Sequence, residues 1–557
     1  MGETRSPISK LHVELLWTIF LASTEALHGI VETDLAWLED EPVETQGRPL
    51  TVIRRSSQVC RKWRDIILGS PSLWGKLLDM SLLSELARGH WMNEVVRRSG
   101  RSPLYITTDS VGISKRLAPL VTLLDDHWER VQVLNVILKV GGSTDIIGTE
   151  ISQILRRPAP CLRSFKVDFI SDTGGSPAFS PEPPLFGNAA PALVALCCPH
   201  SFLTQGSPNL WLSQLRVLHM SLDTCRPYNV WVYDVSPVLQ TFREIPGLEI
   251  LMLSGRPSPP RPIFTTSPHK PVALPKLKVL RVLIDSNTTM TEILDTLVVP
   301  DACGLAVSVK HEPGQFVQGR LTHTYQALHR YSQNYFNTHT ITALQLSVSS
   351  NGVLLQDVSV NCGISGFSLD IHSDAAFSSG ELSLIFDLLA DANLGGTTYI
   401  TLDIGPFDNH LSESNFMSLL RRLDSVEALA TAEPVTTLQF LLDNMKGVPP
   451  LIFPMLETLI FTAMPSVSIS SGPLLPFLKW RKDEDSLIDR IDLRHLYYDS
   501  SPQDLDLLEE MTGLLITWDA STASDDEELI CEYLCGNGHP EMLRDIFPID
   551  NTSSDLE

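Results

Sequence analysis

Reactive side chains are sparse in this sequence, and a single spacing suits a metal ion. Cys531, Cys535 and His539 follow one another at regular intervals and supply three candidate ligands. Structural zinc sites use four protein ligands, and no obvious fourth ligand accompanies these three. The sequence therefore favours ordinary residues at a helix end over a metal centre, and we expect neither a metal nor a cofactor.

Catalytic motifs are the second kind of chemistry to consider. Cys197 and Cys198 are adjacent inside a predicted strand, where burial is the expected role. The sequence contains no phosphate-binding loop, dinucleotide-binding, zincin or nucleophile-elbow motif. The fifteen histidines are scattered, and none pairs with a serine or cysteine in a recognisable order. We expect a protein that is not an enzyme, since an unrecognised hydrolase would need a cleft of strongly perturbed titratable groups.

Charge and hydropathy narrow the class of protein further. The 557 residues carry a formal net charge of −24, which argues against nonspecific nucleic-acid binding because that requires surplus cations. Residues 499–557 hold sixteen acidic side chains and a single arginine, so most of the acidity belongs to a C-terminal tail. The sequence has no stretch apolar enough to span a bilayer, no signal core and too few cysteines for a disulfide framework. We expect an intracellular protein without nucleic-acid or membrane partners.

The elements that position side chains begin with an amphipathic N-terminal segment. A connector over residues 30–51 has loop composition, a second helix is predicted over Val52–Leu68, and a short apolar piece follows over Ser72–Leu77. Three short helices form a small core, which a partner or the following domain would have to steady. The first helix is predicted from apolar residues on one face: Leu11, Leu15, Leu16, Ile19 and Phe20.

Three motifs in this segment are more specific than its helical pattern. They are Leu11-x-x-Glu14-Leu15-Leu16-x-x-Ile19-Phe20, Val59-Cys60-Arg61-Lys62-Trp63-Arg64-Asp65-Ile66 and Ser70-Pro71-Ser72-Leu73-Trp74. Together, over residues 6–80, they resemble an F-box of the kind found in the F-box-like proteins of basidiomycete fungi. His12 stands where that family usually has proline.

The resemblance implies a docking role for this segment. An F-box binds a Skp-type adaptor, which links it to a cullin–RING ubiquitin ligase. We expect Val59 and Trp63 to pack inside the module, and Leu11, Leu15 and Phe20 to reach outward. The resemblance assigns adaptor binding to ten residues: Leu11, Leu15, Leu16, Ile19, Phe20, Val59, Cys60, Trp63, Leu73 and Trp74.

A strand motif recurs beyond residue 101. It has the order apolar, two variable residues, apolar, one variable residue, apolar, and a poor copy lies near Leu305–Val309. In five copies a proline stands two residues before the motif, which ends the preceding segment and favours an extended start. These prolines are Pro160, Pro191, Pro246, Pro275 and Pro454. The motif begins at Val131, Leu162, Leu193, Leu215, Leu248, Leu277, Ile341, Ile364, Tyr399, Val435, Leu456 and Ile488.

Helical patterns occupy several of the gaps between motifs, including Ser378–Ala390 and Ser414–Leu423. Segments rich in proline, serine and glycine, Ser171–Pro191 and Ser254–Pro275, are predicted as long surface loops. Strand and helix alternating about every 30 residues resemble an irregular leucine-rich-repeat solenoid. The predicted fold class is α/β, with the F-box at 6–80, the solenoid at 101–498 and an acidic, partly disordered tail at 499–557.

The combined hypothesis is a substrate receptor of an SCF-type cullin–RING ligase. The F-box binds the adaptor and the solenoid binds a client protein, so that ubiquitin transfer follows from proximity. Such a receptor needs no catalytic residue of its own, and we expect it in the cytoplasm, the nucleus or both. The alternative is a protein-interaction scaffold that carries a relic F-box and has no ligase role.

Overall fold

The helices and strands are those of a computed structural model. It describes residues 11–25, 48–85, 90–111, 117–140, 145–171, 184–199, 202–203, 210–222, 235–255, 269–284, 286–311, 320–359, 366–389, 391–405, 411, 415–445, 451–462, 471–495, 504–520 and 529–543. Residues 30–47 of the connector predicted over 30–51 lie outside these residues, as do the start of the motif at Ile364 and most of the two predicted surface loops.

The described chain alternates helices and strands over most of its length. The helices are α1 (Val13–Glu25), α2 (Pro49–Ser56), α3 (Arg61–Leu68), α4 (Pro71–Gly75), α5 (Met80–Glu85), α6 (His90–Ser99), α7 (Leu117–His127), α8 (Asp145–Leu155), α9 (Ser236–Arg243), α10 (Asn287–Thr296), α11 (Arg320–Thr338), α12 (Ser379–Asp387), α13 (Phe416–Leu420), α14 (Pro434–Met445) and α15 (Ser471–Asp483). Short 3₁₀ helices are Trp128–Arg130, Leu185–Asn188, Leu212–Gln214, Leu505–Glu510 and Pro540–Leu543.

The strands are short and most of them follow a helical segment. They are β1 (Leu78–Asp79), β2 (Leu104–Val111), β3 (Val131–Val140), β4 (Ser164–Ser171), β5 (Ala195–Pro199), β6 (Val217–Ser221), β7 (Ile250–Gly255), β8 (Val272–Ala273), β9 (Val279–Ile284), β10 (Leu297–Val298), β11 (Gly304–His311), β12 (Ala343–Ser349), β13 (Gly352–Asp357), β14 (Ser368–Ser373), β15 (Tyr399–Ile404), β16 (Ala428–Thr431), β17 (Thr458–Phe461), β18 (Arg490–Asp492), β19 (Leu515–Ala520) and β20 (Leu529–Leu534). The protein is therefore mixed α/β.

The first of two compact units spans Met1–Leu277 with Thr296–Pro300. Its strands β1 to β7 pair in chain order, and every neighbouring pair is parallel. A separate parallel pair joins β8 to β10. Parallel strands in register place equivalent residues side by side, so their side chains form rows across the sheet. One such row on the core face is fully buried. The row consists of Leu134, Phe165, Leu196, Leu218 and Leu251.

The second unit spans Lys278–Asp295 with Asp301–Glu557. Its strands pair in the order β9, β11, β14, β13, β12, β15 and then β16 to β20. Pairing is parallel except around β13 and between β19 and β20. Buried residues again form a row across the core face: Ile400, Leu429, Leu459, Ile491 and Ile516.

The five prolines before the strand motif occupy the same kind of turn. Each stands second in a four-residue turn closed by a bond from the fourth amide to the first carbonyl, with N···O distances of 3.1 to 3.4 Å. Proline suits that position because its ring fixes φ near the value that the turn requires. The closing residue is the first leucine of the motif, and it is at most 1% exposed in all five turns. These residues are Leu162, Leu193, Leu248, Leu277 and Leu456.

Most motif copies become strands, and one prediction is wrong. The copy at Val435 lies in α14, where Pro434 occupies the first turn and favours a helix start. The strand of that cycle is β16, which ends in Thr431 where the motif expects an apolar residue. Thr431 is fully buried and its hydroxyl lies 3.3 Å from Asp403 Oδ1, so threonine substitutes for an apolar residue here.

The predicted domain limits differ from the compact units. Strand β1 lies inside the predicted module at 6–80, yet it pairs with β2 in the predicted body, and both belong to the first unit. The predicted acidic tail also contributes structure. Strand β19 pairs in parallel with β18, and its other edge pairs with β20 in the antiparallel direction. The tail residues from 544 onward lie outside the described residues.

Candidate functional site

The N-terminal helices differ from the sequence prediction at one point. The predicted helix over Val52–Leu68 is two helices, because the chain turns between Ser56 and Arg61. Cys60 is extended there and caps α3, with the Trp63 amide donating to its Sγ at 3.5 Å. The break redirects the chain, so the side chains on either side of Cys60 do not share one helical face.

The inward side of this segment is a small aromatic and aliphatic core. On α1 the buried residues are Leu16, Phe20 and Thr24, which follow at the helical spacing of four. The ring of Phe20 meets that of Trp63 edge to face at 5.2 Å, which joins α1 to α3. Further core residues come from the other helices: Ile53, Ile67, Leu73 and Trp74.

The outward side exposes large apolar side chains, called the exposed apolar set below. Leu15 is 53% exposed and Ile19 is 50% exposed, one helical turn apart on α1. Val59, in the turn before α3, is 64% exposed. The set is completed by Val13 and Leu68. All five belong to the helical module, and Leu15 and Ile19 are neighbours on the surface of α1.

Basic side chains accompany the exposed apolar set on α3. Arg61 is 93% exposed and lies 3.8 Å from Asp65, the nearest acid on the same helix. Lys62 donates to the Leu11 carbonyl at 2.7 Å, and Arg64 donates to the Ser57 carbonyl at 3.1 Å. The surface of this segment therefore combines exposed apolar side chains with positive charge.

The ten residues predicted to bind an adaptor fall into three groups. Two packing expectations are wrong: Phe20 is 2% exposed instead of reaching outward, and Val59 is exposed instead of packing inside. The physical reason is the turn at Cys60, which carries Val59 away from the core and brings Trp63 onto Phe20. Leu15, Ile19, Val59 and Cys60 are exposed, Leu11 and Trp63 are intermediate, and Leu16, Phe20, Leu73 and Trp74 are buried.

The module is fixed to the sheet of the first unit by close packing around α4. The backbone at Gly75 approaches Pro103 so closely that a Cβ atom there would lie 2.2 Å from the Pro103 carbonyl oxygen. Trp74 donates its indole N–H to the Ile67 carbonyl at 2.8 Å, and the Arg98 guanidinium covers the Trp74 ring at 4.5 Å. The exposed apolar set is therefore presented by a fixed module.

A second candidate surface is the outer face of the sheet in the second unit. Its middle carries a row of half-buried residues that are in register across five strands. Ser308 donates to Asp370 at 3.3 Å, and Ser347 donates to Asp403 at 3.2 Å. The row is called the polar row below because four of its five members are polar: Ser308, Asp370, Leu354, Ser347 and Asp403. Hydroxyl and carboxylate groups on a half-open sheet face can pair with donors of a bound protein.

The predicted metal-like spacing at the C-terminus is not assembled into a centre. Cys531 lies on β20, and Cys535 is buried in the turn after it, where burial raises the pKa of its thiol to about 12. His539 lies 3.1 Å from the Glu541 carboxylate. Among the described residues no group of three or more histidine, cysteine or acidic side chains is arranged to hold a metal ion.

The adjacent cysteines are both buried, as the sequence predicts, but they lie on opposite faces of β5. Cys198 belongs to the core face, whereas Cys197 Sγ lies 3.1 Å from His219 Nδ1 on β6.

Within the described helices, none is both long and apolar enough to cross a membrane.

No protein-family model matches the chain, and no curated protein matches its sequence.

Proposed function

We propose that this protein is the substrate-recognition subunit of an SCF-type cullin–RING ubiquitin ligase. The F-box-like module at 6–80 binds a Skp-type adaptor, and the body, an irregular leucine-rich-repeat-like solenoid, binds the client protein. The receptor acts by proximity, because it raises the concentration of client near the ligase-bound ubiquitin carrier. It is not an enzyme itself, and it acts in the cytoplasm, the nucleus or both.

The exposure of Leu15, Ile19 and Val59 is the observation that supports the proposal most. A helical module that existed only to cap the sheet would turn such side chains inward, since each buried side chain of this size contributes about 1.5–3 kcal/mol. Their exposure leaves apolar surface for a partner. The close approach of Gly75 to Pro103 adds that the module is fixed to the sheet of its unit, as positioning of a client requires.

The solenoid interpretation draws on the order of the strands and the recurring turns. The strands β1 to β7 and β15 to β19 are parallel and pair in chain order, with a helical segment between most neighbours. This is the pattern of a solenoid in which each repeat packs on the next. Five proline turns at the same position before a strand give the cycle a common start. The polar row from Ser308 to Asp403 is the surface we assign to the client.

A scaffold with a relic F-box is the second candidate, and one observation favours it. Four residues that the resemblance assigns to the adaptor are buried in the protein itself: Leu16, Phe20, Leu73 and Trp74. A module whose aromatic residues serve its own core could keep its fold after losing its partner. The two candidates differ in the fate of the client, which accumulates on cullin inhibition only if the protein is a receptor.

The test of the proposal is a binding measurement between the full chain and a purified Skp-type adaptor. Leu15→Asp combined with Ile19→Asp places two charges in the exposed apolar set and should weaken binding at least about tenfold. The matched control is Leu210→Asp, because Leu210 is 73% exposed and lies outside the module. Both variants should unfold at the wild-type temperature.

Two outcomes would overturn the receptor assignment. One is a wild-type chain that does not bind the adaptor. The other is a double variant that binds as tightly as the Leu210→Asp control. Adaptor binding without client accumulation on cullin inhibition would leave the scaffold as the better description.

A further inference from the structure

Three sulfur- and nitrogen-bearing side chains lie side by side on the outer face of the sheet in the first unit. The register pairs Cys197 on β5 with His219 on β6, and His219 with Met252 on β7. In each strand the preceding and following residues belong to the core face, so these three side chains share the opposite face. The row continues on the other side with Lys166 on β4.

The contacts around His219 define which ring nitrogen faces the sulfur. Nε2 lies 2.8 Å from Ser254 Oγ on β7, and Nδ1 lies 3.1 Å from Cys197 Sγ. When Nε2 carries the proton and donates to Ser254, the lone pair of Nδ1 points toward the thiol. A histidine held in this way by its second nitrogen has the arrangement usual for a metal ligand.

The donor set and its burial select the class of ion. Thiolate, thioether and imidazole are the ligands that favour Cu(I), whereas oxygen ligands suit calcium and magnesium. Cys197 is 2% exposed and Met252 is 5% exposed, so a charged complex would be costly there. One thiolate and one monovalent cation give a neutral complex. A zinc ion with these ligands would keep a positive charge and lack a fourth protein ligand.

The geometry needs only a small adjustment. A metal bonded to both a thiolate and an imidazole holds sulfur and nitrogen about 3.3–3.7 Å apart, if its bonds are similar to those of zinc. The present separation of 3.1 Å would open by a few tenths of an ångström as the hydrogen bond is exchanged for two bonds to the ion.

We infer that Cys197, His219 and Met252 form a binding site for one Cu(I) ion, with Ser254 holding the imidazole in place. Binding is a ligand exchange with no redox step: Cu(I) replaces the thiol proton, which leaves to solvent. The site is independent of the adaptor and client surfaces proposed above.

The test is a competition titration of the reduced, full-length chain against the coloured Cu(I)–bicinchoninate complex without oxygen. The chain has nine cysteines, so uptake is measured as the difference between wild type and variants. Cys197→Ser and His219→Gln should each remove one equivalent of tightly bound Cu(I). Met252→Leu, which keeps the side-chain volume, should weaken that equivalent, and Ser254→Ala should weaken it about 10- to 100-fold.

Matched controls lie one residue along the same strands, on the core face. Cys198→Ser and Met220→Leu change the same side-chain types and should leave copper uptake at the wild-type value. Equal uptake by wild type and Cys197→Ser would overturn the site. Equal affinity of wild type and Met252→Leu would also overturn it, and this variant decides the matter even if Cys197→Ser does not fold.

Discussion

Phe20 on α1 and Trp63 on α3 meet edge to face, with ring centroids 5.2 Å apart and ring planes at 73°. The residue before Phe20 is Ile19, which is half exposed, so neighbouring positions on α1 serve the core and the exposed apolar set. Mutation of Phe20 should therefore affect stability, whereas mutation of Ile19 should affect partner binding.

Replacement of Phe20 by alanine should lower the free energy of unfolding by about 3–5 kcal/mol, because it leaves a cavity against Trp63. Chemical denaturation followed by tryptophan fluorescence measures the change. Val59→Ala is the control, since an exposed position should change stability by no more than about 0.5 kcal/mol. Equal losses in the two variants would contradict the packing described for this module.

A methyl group at Gly75 should loosen the module from the sheet. Gly75→Ala brings Cβ to 2.2 Å from the Pro103 carbonyl oxygen, so the backbone has to shift, at a cost of about 1–3 kcal/mol. Limited proteolysis and thermal unfolding report the change. Gly380 in α12 is the matched glycine, because its Cβ would meet nothing within 4 Å. Gly380→Ala should be neutral or stabilising by up to about 1 kcal/mol, and the same loss at both sites would refute the argument.

Arg481 on α15 holds a turn together from within the core of the second unit. It is fully buried and donates to the carbonyls of Ile452 and Phe453 at 3.1 and 3.0 Å, and burial lowers its pKa to about 10. Arg481→Met removes the guanidinium donor from the Ile452 carbonyl and one of the two donors from the Phe453 carbonyl, which also accepts from the Leu456 amide. Loss of the donor to the buried Ile452 carbonyl should cost about 1–3 kcal/mol. Urea denaturation should show the loss, whereas Lys482→Met, at the exposed neighbouring position, should not.

Asp492 should make part of the stability depend on pH. Burial raises the pKa of its carboxyl, but the hydrogen bonds from Arg494 lower it, and together with the positive charge nearby they outweigh burial. The net shift of the pKa is downward. Because the pKa is lowered on folding, the carboxylate stabilises the folded state at pH values above its unfolded-state pKa of about 3.9. This contribution disappears as the pH falls through the folded-state pKa. Asp492→Asn should therefore lose stability at neutral pH, and its difference from wild type should shrink below about pH 4.

The control for this pH dependence is Asp483→Asn at an exposed position, which should follow the wild-type curve. Urea denaturation at a series of pH values provides the comparison. A constant difference between wild type and Asp492→Asn from pH 7 to pH 3 would show that the carboxylate has no special role.

Local chemistry made part of the fold predictable from sequence. The start of five strand cycles was visible because a proline ends the preceding segment, although the four-residue turn that each proline forms was not predicted. The start of α12 was visible because Ser378 and Glu381 form a reciprocal cap, with the Ser378 amide 2.6 Å from the Glu381 carboxylate. Such features need no knowledge of the rest of the chain.

Other features depend on tertiary contacts that cannot be inferred from the local sequence pattern. The break at Cys60 was missed because the apolar spacing on both sides of it fits one continuous helix. Strand β13 was missed because it forms a hairpin with β12 inside a single cycle, where one strand was expected. In both places tertiary packing decides between two arrangements that the local pattern allows equally.

The row of Cys197, His219 and Met252 was missed for a different reason. Each residue is the fifth of its motif copy, counted from Leu193, Leu215 and Leu248. Alignment of the motif copies on one another would have placed the three side by side. A search for ligands at short spacing along the chain does not find them, because one repeat separates each from the next.

The turns that precede the strands also govern how such a chain can change over time. Each of the five prolines stands four positions before the first residue of its strand, with three residues between them, as Pro160 does before Ser164. An inserted residue in that interval would exchange the two faces of the strand and expose its core side chains. A length change in a segment that follows a strand does not shift the register between the proline turn and its strand. Proteins that diverge from this chain should therefore keep the spacing between each proline and its strand, while the lengths of other segments vary.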